Sequence, residues 1–131
     1  MLMRIYSALF FILFASTISF AQTAEKEAIS TAIREGNSNT LGNYLIASVD
    51  LTVENVEDVY SKDQAEVILA RFFAQNKPTG FTIKHEGKSK LDDYYYIGDL
   101  QTATSKYRLT FFLKKDGTAF RVKQLRIEAG N

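Results

Sequence analysis

The period of the hydrophobic pattern changes once along this chain, at Pro78-Thr79-Gly80, and this change restricts the fold more than any other feature. Before it, Asp63 to Asn76 shows the three- and four-residue spacing of an amphipathic helix. Ser61 and Gln64 form a capping-box pair at the start of this helix. After it, apolar and polar residues alternate, as they do in strands with one buried face. Helices that precede a run of strands predict an α+β fold, with the helices on one face of a curved antiparallel sheet.

Two further helices and one strand are predicted before Asp63. The first helix stops at Gly36-Asn37, and the second runs from Ser38 to Leu45 with Ser38 as its N-cap. Residues 49–53 alternate between apolar and polar, which predicts a half-buried strand. The acidic stretch from Glu54 to Asp58 is interpreted as a polar loop that leads to the next helix.

Four strands are predicted from Phe81 to the end of the chain. Asp116-Gly117 predicts a hairpin between the last two, because this dipeptide tolerates the positive φ of a tight turn. In the last strand the apolar residues move from positions 120 and 122 to positions 125 and 127. A shift of one residue requires a β-bulge near Lys123-Gln124, which bends the sheet into a cone around the helices, with a cavity inside.

The first 21 residues have the pattern of a signal peptide. Arg4 supplies a positive charge, Ile5 to Phe14 is an almost unbroken apolar run, and Ser19-Phe20-Ala21 is typical of a cleavage site. A membrane anchor would need about 20 apolar residues, whereas this run is interrupted. We therefore expect one domain, residues 22–131, that is exported to the periplasm or secreted and keeps no stable membrane anchor after cleavage.

The composition excludes several kinds of chemistry. The chain has no Cys and a single histidine, His85, so it offers no disulfide, no Cys-based zinc or iron–sulfur site and no multi-histidine metal cluster. A net charge of +1 gives no overall electrostatic case for nucleic acid. The glycines match no phosphate-binding pattern. We expect neither a metal nor a cofactor.

The mature part of the chain resembles a family of small exported bacterial proteins of unknown function, which belongs to the nuclear-transport-factor-two-like superfamily, also called cystatin-like. The resemblance is carried by the order of elements and by short stretches: Ser61-Lys62-Asp63 to Phe72-Phe73, Phe81 to Gly87, Tyr96 to Thr102 and Tyr107-Arg108-Leu109. It implies the cone fold. It assigns no catalytic role, because no residue matches a catalytic motif of the enzymes in that superfamily.

Aromatic residues are the main candidates for a binding site. Because Tyr94, Tyr95 and Tyr96 are consecutive on a strand, Tyr94 and Tyr96 must share one face. His85 alternates with Phe81 and Ile83, which places it toward the apolar side. The candidate pocket therefore comprises these aromatic residues: Tyr60, His85, Tyr94, Tyr96 and Tyr107. Alternatively, the tyrosines simply fill a curved sheet and bind nothing.

Two classes of function remain open. A non-catalytic module that binds a small apolar or amphipathic ligand or a protein needs only a suitable cavity or surface. In the enzymes of the resembled superfamily, an Asp or His base works beside a tyrosine or second carboxyl in the cone. Here Asp50, Asp58 or His85 would have to face such a cavity beside a tyrosine hydroxyl.

The charges are unevenly distributed along the chain. Residues 22–76 hold four Lys and Arg against nine Asp and Glu, whereas residues 77–131 hold eleven against six. The basic half could present a surface to an anionic glycan, a lipid head group or an acidic partner, or simply a solvated face. Because superfamily members often pair through the sheet, the resemblance also makes a twofold homodimer reasonable, with Phe112 near the interface and Arg108 or Lys114 at its rim. Alternatively, the protein is a monomer with one exposed aromatic side chain.

Overall fold

A computed structural model of the protein describes residues 22–130, and the predicted signal peptide, residues 1–21, lies outside that part of the chain. The helices of the described part are α1 (22–35), α2 (Ser38–Asn43) and α3 (Lys62–Gln75). Its strands are β1 (Leu45–Val53), β2 (Val56–Ser61), β3 (Pro78–Lys88), β4 (Tyr94–Thr102), β5 (Lys106–Asp116) and β6 (Ala119–Ala129). No helix in residues 22–130 is long and apolar enough to cross a membrane.

The helix ends follow from local capping. Gly36 adopts φ +65° and ends α1. The Gly36 N–H donates to the carbonyl of Ile33, and the Asn37 N–H donates to the carbonyl of Ala32. Asn37 is then the N-cap of α2, where its Oδ1 accepts from the Thr40 N–H at 3.1 Å, so the predicted cap at Ser38 was wrong by one residue. The second helix ends at Asn43, because Leu45 already pairs with Val122 of β6.

The predicted capping box of α3 is confirmed. Ser61 Oγ accepts from the Gln64 N–H at 3.2 Å, and Gln64 Oε1 accepts from the Ser61 N–H at 3.3 Å. The buried residues of α3 lie on one face, which packs toward the sheet: Ala65, Leu69, Phe72 and Phe73. This amphipathic face holds the helix against the core.

The six strands form one sheet in the order β2-β1-β6-β5-β4-β3. All neighbours are antiparallel except β1 and β6, which are parallel, so the expectation of a wholly antiparallel sheet was wrong at this pair. The β2 strand was missed, because its residues are mostly exposed and show no apolar alternation. It forms a hairpin with β1 through Glu54 and Asn55, whose positive φ angles of 49° and 74° suit a two-residue turn.

A β-bulge on β6 occurs where it was predicted. Phe112 pairs with Gln124 while Leu113 pairs with Val122, which leaves Lys123 as the extra residue. The predicted hairpin between β5 and β6 is also confirmed, although Asp116 pairs with Ala119 and the turn is Gly117-Thr118. Gly117 supplies the positive φ, +66°.

A second bulge on β3 was not predicted. Ile83 pairs with Gly98 and His85 pairs with Ile97, so Lys84 is the extra residue there. The bulge turns His85 to the face away from the helices, where it is exposed. The prediction that His85 points toward the apolar side was therefore wrong.

The two faces of the sheet differ in cover. The inner face is the one toward the helices, and together with α1 and α3 it buries the core. Side chains with no exposure fill this space: Ile29, Ile33, Leu69, Leu109, Phe111 and Leu125. The outer face, on the opposite side, has the half-buried residues Ile97, Thr110 and Phe112 at its centre.

Candidate ligand site at one end of the sheet

The five predicted pocket residues lie in different parts of the molecule. Tyr94 and Tyr96 lie together on the inner face, as the alternation of β4 predicts. Tyr107 lies at the other end of the sheet, Tyr60 is half-buried on the edge strand β2, and His85 is on the outer face. Two of the five residues therefore line a common cavity.

This cavity, the tyrosine cavity, has a volume of about 350 Å³. It lies between the described start of α1 and one end of β3 and β4. It is lined by Gln22, Thr23, Lys26, Glu86, Gly87, Lys88, Tyr94 and Tyr96. Its volume falls within the range of small-molecule sites in proteins.

Tyr96 is the most constrained side chain of the tyrosine cavity. Its ring stacks on Phe111 with the centroids 4.9 Å apart, and the residue is 2% exposed. Its hydroxyl is buried and forms no hydrogen bond with the described residues. Burial, assisted by the negative charge of Glu86, raises the pKa of Tyr96 to about 12. The hydroxyl is therefore a protonated hydrogen-bond donor at neutral pH.

Two lysines lie over the tyrosine rings. Lys26 Nζ of α1 is 2.9 Å from Glu86 Oε2 and 5.5 Å from the centroid of Tyr96. Lys88 Nζ is 5.6 Å from the centroid of Tyr94. Both distances are within the range of cation–π contacts. The cavity thus combines aromatic faces, a cation and a buried phenol.

Lys26 and Glu86 were missed by the sequence reasoning. Alternation from Phe81 places Glu86 on the outer face, but the β3 bulge reverses the alternation and pairs Glu86 with Tyr96. Only polar residues and a glycine follow the bulge in this strand, so no apolar position reports the shift. For Lys26, the sequence carries no signal that distinguishes it from any other lysine on a helix.

Tyr107 has a different environment. Its hydroxyl lies 3.0 Å from Glu54 Oε1 and 3.0 Å from Asn76 Oδ1, and its single proton is shared between these two acceptors. Burial and the hydrogen bond to Glu54 raise the pKa of Tyr107. A cavity of about 470 Å³ lies beside it, between the β1–β2 turn and the start of β5. The hydroxyl links that turn to the C-terminal end of α3.

The candidate acid/base residues lie apart from Tyr96. His85 lines an open trough of about 740 Å³ on the outer face with Arg108 and Arg126. Asp50 faces the same side, with its Oδ2 3.5 Å from Gln124 Nε2. Asp58, on the exposed β2, accepts a hydrogen bond from the Val59 N–H at 2.8 Å. None of the three lines the tyrosine cavity.

The tyrosine cavity brings hydrogen-bonding, charged and aromatic groups together. Its carboxylate, Glu86, is already paired with Lys26. Residues 22–130 hold no group of three or more His, Cys, Asp or Glu side chains that could bind a metal ion. The cavity can donate a hydrogen bond, stack on aromatic faces and bury apolar surface.

The protein has a nuclear-transport-factor-two-like fold. The structure of an NTF-2 like protein of unknown function from Silicibacter pomeroyi has a TM-score of 0.58 at 17% identity, over 86% of this chain and 98% of that chain. That likeness concerns the fold alone.

The profile of the family described as Domain of unknown function (DUF4783) matches residues 26–128, and the chain belongs to that family. A DUF4783 family protein from Bacteroides fragilis is 34% identical with a TM-score of 0.74, over 79% of this chain and 96% of that one. Another, from Bacteroides uniformis, is 33% identical with a TM-score of 0.75, over 80% and 96%. No curated protein matches the chain. The resemblance to an uncharacterised family is confirmed.

Proposed function

We propose that this domain is a non-catalytic binding module whose tyrosine cavity takes a small amphipathic molecule. The observation that carries the proposal is the buried hydroxyl of Tyr96, which has no hydrogen-bond partner among the described residues. Burying an unpaired hydroxyl costs about 1–3 kcal/mol, and native proteins rarely leave that cost uncompensated. A ligand that accepts a hydrogen bond from the Tyr96 hydroxyl removes this cost.

The lining residues suggest the class of ligand. A phenol with a pKa of about 12 donates, so the ligand carries an acceptor such as a carbonyl, hydroxyl or carboxylate oxygen. The half-buried ring of Tyr94 offers apolar surface to the apolar part of the ligand. Lys26 favours a partial or full negative charge on the ligand, although Glu86 already offsets much of the charge of this lysine.

The alternative, an acid/base enzyme of the isomerase or dehydratase type, has less support. It needs a carboxylate or imidazole that is free to act as a base beside a tyrosine hydroxyl in a cavity. Asp50, Asp58 and His85 lie elsewhere. Glu86 lines the tyrosine cavity with Tyr96, but its carboxylate is already paired with Lys26 at 2.9 Å. Glu54 and Tyr107 do come together, but the Tyr107 hydroxyl is already engaged by Glu54 and Asn76. This contact is explained by its structural role.

Native mass spectrometry of the protein purified from its producing cells tests the proposal. We expect a small molecule to remain bound, and Tyr96→Phe to lose it. Tyr95→Phe is the matched control, because Tyr95 is the neighbouring phenol and pairs with Phe112 of the outer face. Absence of any bound molecule, or equal retention in both variants, would overturn the proposal.

We also propose export, with cleavage after Ala21. The support is the charged start, the apolar run and the Ser19-Phe20-Ala21 site. The intact mass of the protein from its host measures the N-terminus directly. A mature form that retains residues 2–21 would reject the proposal.

The homodimer through the outer face is likewise a proposal. The centre of this face is partly apolar, with Tyr95 and Phe112 rings 6.0 Å apart, and Arg108 at its margin is exposed. Phe112→Asp would place an unpaired carboxylate in the interface and should abolish the dimer. Val67→Asp, on an exposed position of α3, is the control. Light scattering that gives a monomer mass for the wild type at high concentration would exclude the dimer.

A further inference from the structure

One end of the sheet carries two loops that project beyond it together. Tyr94 pairs with Lys88 on one side and with Leu113 on the other. The β3–β4 loop and the turn of the β5–β6 hairpin therefore project from the same end of the sheet. We name this region, residues 88–93 and 114–118, the basic end. The tyrosine cavity, which includes Lys88 and Tyr94, opens beside it.

An exposed leucine lies at the tip of the first loop. Leu91 is 77% exposed, more than the other exposed large apolar side chains, Val56, Val59 and Val67. Lys88 and Lys90 precede it in the chain, and Asp92 and Asp93 follow it. Its exposure leaves this side chain accessible to another phase or molecule.

The basic end carries four lysines, Lys88, Lys90, Lys114 and Lys115, against three aspartates, Asp92, Asp93 and Asp116. Asp93 is paired with Lys123 of β6, so it does not neutralise these lysines. Among residues 22–130, Lys90, Lys114 and Lys115 form no ion pair with a carboxylate, and all three are exposed. Lys88 pairs with Asp92 only at 3.7 Å, between two exposed side chains. Lys114 also stands directly opposite Arg121 in the sheet, and like charges in that position repel.

We propose that the basic end docks on an anionic lipid surface, with Leu91 entering the headgroup region. The lysines of the two loops contact the lipid phosphates. An apolar tip beside exposed lysines is suited to a lipid interface, where the leucine leaves water and the lysines remain among the headgroups. A glycan offers no apolar phase for Leu91, and a protein partner would require a wider apolar patch than one side chain.

The strength of this contact follows from the charges. Each lysine close to an anionic surface increases the partition coefficient roughly fivefold. Burial of the leucine side chain adds roughly tenfold more. Because the Debye length is only about 10 Å at 0.1 M salt, the lysine contribution falls as salt rises.

Co-sedimentation with lipid vesicles tests the proposal. The protein is purified in the form that its producing cells make, so that every variant has the same N-terminus. Vesicles of phosphatidylcholine and phosphatidylglycerol in equal parts are compared with vesicles of phosphatidylcholine alone, at low salt. We expect the wild type to sediment with the anionic vesicles only.

Two variants and two matched controls locate the contact. Lys90→Gln with Lys115→Gln should lower the partition coefficient roughly 25-fold, and Leu91→Ser roughly tenfold. The charge control, Arg71→Gln with Lys77→Gln, removes two exposed cations of α3 and the segment after it. The apolar control, Val67→Ser, removes an exposed valine from α3. Both controls should stay within about twofold of the wild type, because their sites lie away from the basic end.

Several results would overturn the proposal. The first is absence of sedimentation with anionic vesicles at low salt, and the second is equal sedimentation with both kinds of vesicle. The third is an equal loss in the control and test variants. Because none of these measurements involves a ligand of the tyrosine cavity, their outcome is independent of the proposed function.

Discussion

Tyr96 and Tyr107 are two buried tyrosines at opposite ends of the same inner face, and their hydroxyls have opposite surroundings. Tyr107 donates to Glu54 and Asn76, whereas Tyr96 forms no hydrogen bond with the described residues. Both rings pack against a phenylalanine: that of Tyr107 meets Phe72 edge-on, and that of Tyr96 stacks on Phe111. The difference lies in the hydroxyls: that of Tyr107 has acceptors within the protein, whereas that of Tyr96 has none among the described residues, and we propose that a ligand supplies one.

The largest expected effect comes from removing the ring beneath Tyr96. Phe111 has no exposure and stacks on Tyr96, so Phe111→Ala should lower the free energy of unfolding by about 3–5 kcal/mol. This substitution tests whether the ring of Tyr96 belongs to the core although its hydroxyl does not take part in the fold. Urea denaturation measures the effect, and a loss below about 1 kcal/mol would show that the ring is not part of a packed core.

The second effect is a loss of stability in alkali. Because folding raises the pKa of Tyr96 from 10.0 to about 12, the folded state holds the proton more tightly than the unfolded state. This contribution is fully present below pH 10, is lost as pH rises through 12 and amounts to about 3 kcal/mol. Denaturation curves across this pH range measure it. Tyr96→Phe should remove this part of the pH dependence, and an unchanged profile in that variant would contradict the assignment.

The third prediction concerns the partnered hydroxyl. Tyr107→Phe should lower the free energy of unfolding by about 1 kcal/mol, because Glu54 and Asn76 lose a common donor. The loss is moderate since Glu54 is exposed and can turn to water. Chemical denaturation measures it. A Tyr107→Phe protein as stable as the wild type would remove the contrast between the two ends.

The smallest expected effect belongs to Tyr96→Phe. In protein freed of any bound molecule, this change should leave the free energy of unfolding within about 0.5 kcal/mol of the wild type, or raise it, because no hydrogen bond within the protein is lost. The denaturation series used for Tyr107→Phe measures it. A loss as large as that of Tyr107→Phe would show that the Tyr96 hydroxyl has a stabilising partner in the fold.

The bulges at Lys123 in β6 and at Lys84 in β3 show how far the sequence predicts this structure. In β6 the apolar residues change parity on either side of Lys123, so the bulge there could be predicted. In β3 the residues after Ile83 are polar or glycine, so nothing in the pattern marks the bulge at Lys84. His85 was therefore assigned to the wrong face, and Glu86 was missed.

At the candidate site, too, the sequence predicts the local arrangement but not the contacts between distant residues. The alternation of Tyr94 and Tyr96 is a local property of a strand, and the sequence predicts it correctly. The partners of Tyr107 lie 53 and 31 residues away in the chain, and only the folded sheet brings them together. The contact of Lys26 with Glu86, 60 residues apart, has the same origin.

A crystal structure of the protein, purified from its producing cells without added ligands, would show directly whether a ligand accepts a hydrogen bond from the Tyr96 hydroxyl. We expect electron density for a small molecule in the tyrosine cavity, with an acceptor atom within hydrogen-bond distance of Tyr96 Oη and its apolar part against Tyr94. A Tyr96 hydroxyl that is bonded to a side chain of the protein, or to a single water in an otherwise empty cavity, would contradict this expectation.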